Sequence, residues 1–528
     1  MTDTPPLLEN TDRINLAIGA CAIGAGCLCL IVASRSASPF LVVAAAIGFA
    51  LANTTIFSLT HEATHGSLHS DRAVNEWGGR CLAAFFPTSF SLQRVAHLNH
   101  HRNNRSEVER FDYFDSGDNL ALKIAQWYGI LTGLYWLMIP AFCAVYFLAA
   151  ELLPLRALLD RDRRFATQTS ASAYAVSLGG LSMASFRCEV LLAALVQTSL
   201  FLIIGVSWTG WAVCYGAFAL SWSSLQYADH AFSALHRTDG AWNLNVPPIL
   251  RAIHLNYNLH VRHHRDPTLG WRELPRSPHG DERTIDYWRM LLVMWTGPRP
   301  TPGAGISTAV LARRDLTVNL VLCAIFAALF ALIYGTGDYL YRHAPATFDL
   351  TTTFDSALPM LTPFSLVYLS IVPLLWIAPL VLREPGRLLP FGVALGAQLL
   401  VAFAIYSAFP VKALDAPYSP AGLFGHMMAL EKAINLDGNA FPSLHVALST
   451  SAAWAYAPFL ARRWRAGLFV WTAAIVASTM LTRQHGVADV LGGFVLAASV
   501  MTMFYPRVQR ELAASQEAIF GRGSARSV

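Results

Sequence analysis

The sequence predicts an all-α polytopic membrane protein made of two consecutive helical parts, and three observations carry that reading. Hydrophobic residues form 54% of the 528-residue chain and charged residues only 13%, about half the roughly one-quarter share of soluble domains. Apolar runs near the ~20 residues needed to cross a bilayer recur along its whole length. A single Pro- and Arg-rich stretch, 265–314, interrupts them.

Mean hydropathy is +0.42 and net charge +5. These values exclude a cytosolic enzyme, a disordered chain and a secreted disulfide scaffold. No basic tract with interleaved aromatics points to nucleic acid. The polar, acidic N-terminus has Arg13 as its only base before the first apolar run, unlike a cleaved signal peptide, so the first span is kept in the mature protein. The eight cysteines are scattered and none forms a CxxC pair; they read as small buried hydrophobes.

The apolar runs lie at 14–33, 39–58, 127–150, 191–207, 209–228, 315–336, 365–382, 388–408, 441–460, 467–482 and 486–505. No internal repeat relates the two halves, which suggests a fusion. The expected division is 1–300, a linker at 301–312, and 313–528. Basic clusters at Arg156–Arg164, Arg262–Arg299, Arg313–Arg314, Arg383–Arg387, Arg462–Arg465 and from Arg507 set the cytoplasmic side. The six runs of the second half then alternate without conflict. The first half fits only with four crossings, so 127–150, with Pro140 near its middle, is read as re-entrant or interfacial. The expected location is a multi-pass protein of a bacterial inner membrane.

Histidines carry the first chemical signal. His61-Glu62-Ala63-Thr64-His65 spaces two imidazoles four apart, and His97-Leu98-Asn99-His100-His101 and His260-Val261-Arg262-His263-His264 are both HxxHH. Positions i, i+3 and i+4 share a helix face, so each box is expected to aim its nitrogens at one point. Imidazole suits iron, zinc, copper and nickel. Eight imidazoles exceed the needs of one tetrahedral zinc and suit two metal ions with positions left open. A lone histidine beside an apolar helix is most often a satisfied interfacial residue, but three boxes on one membrane side are not explained that way. A zinc-protease reading of the HExxH segment, with Glu62 as base, leaves both HxxHH boxes without a purpose.

Residues 50–275 resemble the membrane fatty-acid desaturase and hydroxylase family. The resemblance rests on His61–His65 with Gly66-Ser67, His97–His101 with Arg102, Asn256-Tyr257-Asn258-Leu259 before His260–His264, and the run from Tyr227-Ala228-Asp229-His230 through Gly240-Ala241-Trp242-Asn243-Leu244. It implies two Fe ions in a non-haem di-iron centre, O2 as co-substrate, and attack on an unactivated acyl C–H bond. It also implies a further histidine ligand, for which His230 is the first choice and His254 the reserve, with Asn256 a weaker partner through water. Asp229 and Glu62 are expected to accept imidazole N–H groups and fix their tautomers. No flavin or Fe–S motif is present, so the electrons would come from a ferredoxin- or cytochrome-type donor protein.

The second half carries Pro442-Ser443-Leu444-His445 at the start of one apolar run and Thr482-Arg483-Gln484-His485-Gly486-Val487-Ala488-Asp489 at another. His485 and Asp489 are one helical turn apart, so the carboxylate is expected to accept Nδ1–H and leave Nε2 nucleophilic. His445 would protonate a leaving oxygen. Arg483, Lys412 and a helix N-terminus would hold a phosphate. The plainer alternative is a His–Asp pair capping a membrane helix.

Residues 365–505 are similar to the type 2 phosphatidic acid phosphatase superfamily. Leu444 replaces the glycine of its Pro-Ser-Gly-His box, Ser478-Thr479 stands where Ser-Arg is usual, and Lys412 and Pro420 match its first phosphate box whereas Ser419 replaces an Arg. These departures resemble the inositol phosphorylceramide and sphingomyelin synthase branch. By that resemblance His485 would form a phosphohistidine, Asp489 would orient it, and His445 would be the acid/base.

The function expected is a bifunctional lipid-modifying enzyme. One half desaturates or hydroxylates an acyl chain, with the di-iron site cytoplasmic. The other cleaves or transfers a lipid phosphate ester on the outer side. A catalytically dead lipid-binding scaffold is the alternative from another class.

Overall fold

The computed structural model describes residues 6–107, 109–149, 178–277, 280, 282–414, 422–434, 436 and 438–521. The chain divides into two compact units, Met1–Ile306 and Ser307–Val528. The basic run Arg156–Arg164, Ser419 and Pro420 lie outside the described residues.

In the first unit α1 (Pro6–Arg35) and α2 (Pro39–His65) pack along each other. Pro39 at the first turn of α2 suits its fixed φ, and Gly66 ends that helix in the left-handed region at φ 82°. α3 (Arg72–Phe85) and α4 (Phe90–Asn103) follow, capped by the side chains of Asp71 and Ser89. After strand β1 (Tyr113–Phe114) come α5 (Leu120–Leu131) and α6 (Leu134–Ala149), then α7 (Met183–Leu202) and α8 (Trp208–Ala228). Strand β2 (Asn243–Asn245) leads to α9 (Pro248–Ile253), α10 (His260–Arg265), β3 (Thr284–Asp286), α11 (Tyr287–Met294) and β4 (Arg299–Pro300). β1 pairs with β4 and β2 with β3, both parallel. An aromatic core holds α2, α3 and α8 together, with Phe49, Phe85, Phe86, Tyr215, Phe218 and Trp222 all buried.

The run 127–150 is not one straight helix: α5 and α6 meet at 98°. Gly133 explains the bend, having φ 85° and lying so close to α8 that a Cβ there would stand 2.9 Å from the backbone of Ala219. Only glycine meets both demands.

The second unit begins with α12 (Thr308–Arg342) and the one-turn α13 (Thr353–Ala357). The run 365–382, expected as one span, is three short helices, α14 (Phe364–Leu369), α15 (Ile371–Trp376) and α16 (Ala378–Val381). Pro373 and Pro379 remove backbone donors that a continuous helix would need. Then come α17 (Pro385–Ala408), α18 (Gly422–Ile434), α19 (Leu444–Tyr456), α20 (Arg462–Leu481), α21 (Val487–Ser499) and α22 (Tyr505–Phe520). Small residues on α19, among them Ala447, Ser449, Ser451 and Ala452, are wholly buried, as close helix packing in a membrane requires.

Among the described residues seven helices are long and apolar enough to cross a membrane: Thr11–Arg35, Pro39–His65, Met183–Leu202, Thr308–Arg342, Pro385–Ala408, Arg462–Leu481 and Val487–Phe520. The expected span 209–228 forms α8, whose inner face carries buried Ser223 and Ser224. The expected span 441–460 contains the 13-residue α19.

Candidate functional site

Nine imidazoles from α2, α4, α10 and the residue just beyond the cap of α8 gather into two groups, His61, His65, His97, His101 and His263 in one, His100, His230, His260 and His264 in the other. Within each group the ligand atoms all lie within 4.8 Å of one another. Each box was expected to serve a single point, but only the first does. His97 and His101 turn to the first group and His100 to the second; His263 joins the first, His260 and His264 the second. Adjacent helical residues point about 100° apart, so an HH pair straddles two centres.

The hydrogen bonds show why these nitrogens suit cations. In the second group His230 Nδ1 donates to Gly240 O at 3.0 Å, His264 Nδ1 to Thr238 O at 3.0 Å and His100 Nδ1 to Glu109 Oε2 at 2.6 Å. A neutral imidazole has one N–H, so each of these Nε2 atoms carries a lone pair. Yet His100 Nε2 lies only 3.2 Å from His230 Nε2 and 3.3 Å from His264 Nε2. Lone pairs facing at that distance repel unless a cation sits between them. In the first group Nε2 of His97 lies 2.8 Å from that of His65 and 3.0 Å from that of His101, which lies 3.0 Å from that of His263. The buried His61 Nε2 has no hydrogen-bond partner. For metal–nitrogen bonds of ~2.1 Å, neighbouring ligand atoms in an octahedron stand ~3 Å apart. The residues fit a pair of metal ions.

Asp229 is 1% exposed, and one carboxylate oxygen lies 3.5 Å from His260 Nδ1. Burial pushes its carboxyl up to about 8. Glu62 does not reach an imidazole N–H as expected. Its carboxylate accepts from Ser67 Oγ at 2.9 Å and from the Trp271 N–H at 3.1 Å instead. That also removes the base that a zinc protease would need. His254 joins neither group. The Asn256 side chain is taken by Arg251 and the carbonyl of Trp271.

In the second unit His445 and His485 face each other with ring centroids 6.2 Å apart. His445 stacks on Tyr368 at 3.9 Å, and its Nδ1 is 3.1 Å from the tyrosine hydroxyl. His485 Nδ1 is 3.7 Å from Asp489 Oδ2, too far for a hydrogen bond; that oxygen accepts from the Gly486 N–H at 2.9 Å instead. A helix N-terminus was expected to offer N–H groups to a phosphate, and α21 begins beside His485. Asp355 already accepts from the Val487 N–H at 2.8 Å, so two carboxylates cap this end.

Arg483 has φ 53°, and its guanidinium donates to the carbonyls of Leu358 (2.6 Å) and Ser356 (2.9 Å). It braces the 356–358 segment and does not point at the histidines as expected. Lys412 pairs its backbone N–H with Phe348 O at 2.8 Å, and its charge acts on Asp349.

Comparison with known families agrees with both halves: residues 36–279 match the model of the fatty acid desaturase family, and residues 342–503 match that of the PAP2 superfamily. The chain joins a fatty acid desaturase domain to a PAP2 superfamily domain. No curated protein matches the chain.

The desaturase domain uses residues that the histidine spacing does not reveal. Glu109, in the segment after α4, holds His100. Arg105, wholly buried, forms a two-pronged ion pair with Asp112 at 2.9 and 2.8 Å and braces Tyr227. In the PAP2 domain the residue passed over is Glu431, buried on α18 with neither carboxylate oxygen hydrogen-bonded. Burial pushes its carboxyl up to about 7. Its only sequence signal is a lone acid inside an apolar helix.

Proposed function

We propose that the desaturase domain binds two iron ions through His61, His65, His97, His101 and His263 at one centre and His100, His230, His260 and His264 at the other, and uses O2 to desaturate or hydroxylate a lipid acyl chain. The observation that carries this is the convergence of nine imidazoles into two groups, three of them with Nδ1–H engaged and the Nε2 lone pair turned inward. Iron bound there would supply the oxygen chemistry that removes hydrogen from an unactivated C–H bond. The protein's share is positioning. Glu109 and the carbonyls of Thr238 and Gly240 hold three rings by their Nδ1–H groups, Asp229 faces a fourth, and Phe57, Tyr135 and Trp222 wall the adjoining cavity with apolar surface. Electrons would come from a separate ferredoxin- or cytochrome-type protein.

For the PAP2 domain we propose cleavage of a lipid phosphate ester. His485 attacks phosphorus while His445 gives its proton to the leaving oxygen, and water then releases phosphate from the histidine. The proximity of the two rings, tilted by 49° with centroids 6.2 Å apart, supports this. A small turn of His485 brings its Nδ1–H onto Asp489; such contacts are commonly long before substrate binds. Leu444, buried in place of the usual glycine, favours the head-group transferase variant, in which an alcohol replaces water. Domain limits of 1–300 and 313–528 belong to this reading.

From the basic loops we infer a cytoplasmic iron site and an outer His485. Labelling of Arg102→Cys and His426→Cys in a cysteine-free background checks this; labelling of both from the same side contradicts it. The function itself is tested by lipid mass spectrometry of membranes holding wild type, His263→Ala or His485→Ala. Two separable lipid changes are expected, a gain of oxygen or loss of two hydrogens in one and loss of a phosphate ester in the other. No change in any lipid would leave only a scaffold.

A further inference from the structure

The two histidines of the PAP2 domain differ in what stands beside their Nδ1 atoms. At His485 it is the Asp489 carboxylate, 3.7 Å away. An acceptor there favours the tautomer with its proton on Nδ1 and a lone pair on Nε2. At His445 the neighbour is a phenol. Tyr368 is 1% exposed, and its ring stacks on the imidazole with centroids 3.9 Å apart. Its hydroxyl lies 3.1 Å from His445 Nδ1, the one hydrogen bond it makes among the described residues. A buried O–H without an acceptor is costly, so the phenol donates and Nδ1 accepts. Neutral His445 then carries its proton on Nε2. One ring is set to attack and the other to give a proton.

The broken run 365–382 brings the phenol to this place. Pro373 and Pro379 interrupt it, and the short helices that result are tied to their neighbours. Trp471 on α20 donates its Nε1–H to Ser370 Oγ, at the end of α14, at 2.8 Å. The Tyr456 hydroxyl, at the end of α19, donates to Leu374 O on α15 at 3.2 Å. The segment therefore lies along α19, whose first turn carries His445. Packing alone asks only for the ring of Tyr368; the hydroxyl acts on the proton.

We propose that Tyr368 is the positioning residue that makes His445 the proton donor of the PAP2 domain. This rests on the phosphate-ester reading above and adds a residue to its site. As the bond from phosphorus to the leaving oxygen breaks, that oxygen keeps the electron pair and takes the Nε2 proton of His445. The phenol proton moves onto Nδ1, so the imidazole stays neutral and the negative charge rests on the phenolate. When water attacks the phosphohistidine it loses a proton to Nε2. The phosphorus–nitrogen electron pair returns to His485, and the Nδ1 proton returns to Tyr368.

The test compares two leaving groups on the full-length protein in nanodiscs. Dioctanoyl phosphatidic acid releases an alkoxide that needs a proton to depart; nitrophenyl phosphate releases a phenolate that does not. Tyr368→Phe keeps the stacked ring and removes only the hydroxyl. Its kcat for the phosphatidic acid is expected to fall about 100-fold, the low end of a general acid's contribution, with KM unchanged. For nitrophenyl phosphate the expected fall is no more than about threefold, since no acid is needed there; this arm also reports that the variant is folded. An unchanged rate on phosphatidic acid, or a loss of the same size on both substrates, overturns the proposal. Phosphate released from neither substrate by the wild type sinks the phosphate-ester reading itself, and the proposal with it.

Discussion

Glu109→Gln offers a test in which the two metal positions respond differently. Glu109 holds only His100, through a 2.6 Å bond to Nδ1, and is itself nearly buried. His100 belongs to the second group, whereas its helix neighbours His97 and His101 serve the first. Glutamine keeps the size and an acceptor oxygen but removes the charge. A charge-assisted hydrogen bond is worth about 1.5–3 kcal/mol, and loss of a group that orients a metal ligand typically costs 10–100-fold in affinity. Roughly tenfold weaker binding is expected for Gln and nearer 100-fold for Ala, confined to one ion. The assay is iron per chain by mass spectrometry across a chelator series. The variants are expected to pass through a one-iron plateau at chelator levels where the wild type keeps two. Glu62→Gln, although inside the HExxH segment, is expected to match the wild type, because Glu62 bonds Ser67 and Trp271. Loss of both irons together in Glu109→Gln, or unchanged retention, would refute this division of the ligands.

Other outcomes follow from the same geometry. Gly133→Ala forces φ 85° on a residue with a Cβ and drives that atom to 2.9 Å from Ala219; a loss on the order of 2–4 kcal/mol is expected in detergent-solubilised unfolding. His485→Ala should abolish phosphate release from lipid and leave iron content unchanged, measured on one preparation. For Glu431 the folded pKa of about 7 exceeds the ordinary 4.5, so the folded state holds its proton longer. That carboxyl costs the fold nothing below pH 4.5 and progressively more as pH rises toward 7. Glu431→Gln should therefore raise thermal stability at pH 8 and match the wild type at pH 4, read from melting curves; a gain that is equal at both pH values contradicts the assignment.

Much of this was legible in the sequence because it rests on periodicity. The apolar runs gave the membrane helices, and four-residue spacings gave the histidines. What spacing does not carry is the rotational phase of one helix against another. That phase, together with the 100° step between adjacent residues, lets His97–His101 and His260–His264 serve two centres, while Glu62 bonds Ser67 and Trp271. Groups supplied by irregular segments were equally hidden: Glu109 comes from the stretch after α4, and Asp355 reaches the start of α21 from far upstream in the chain. Arg483 looked free because its charge is local in sequence, whereas the carbonyls that occupy it are not. The broken run 365–382 could have been anticipated from Pro373 and Pro379, since hydropathy is blind to a missing N–H.

The central claim is that the histidines hold a pair of irons. Metal analysis with Mössbauer spectroscopy on isotopically enriched full-length protein tests it most directly. Two irons per chain in a coupled high-spin pair is the predicted result, falling to none or one in His101→Ala. One tightly held zinc, or no metal with the histidines intact, would contradict it.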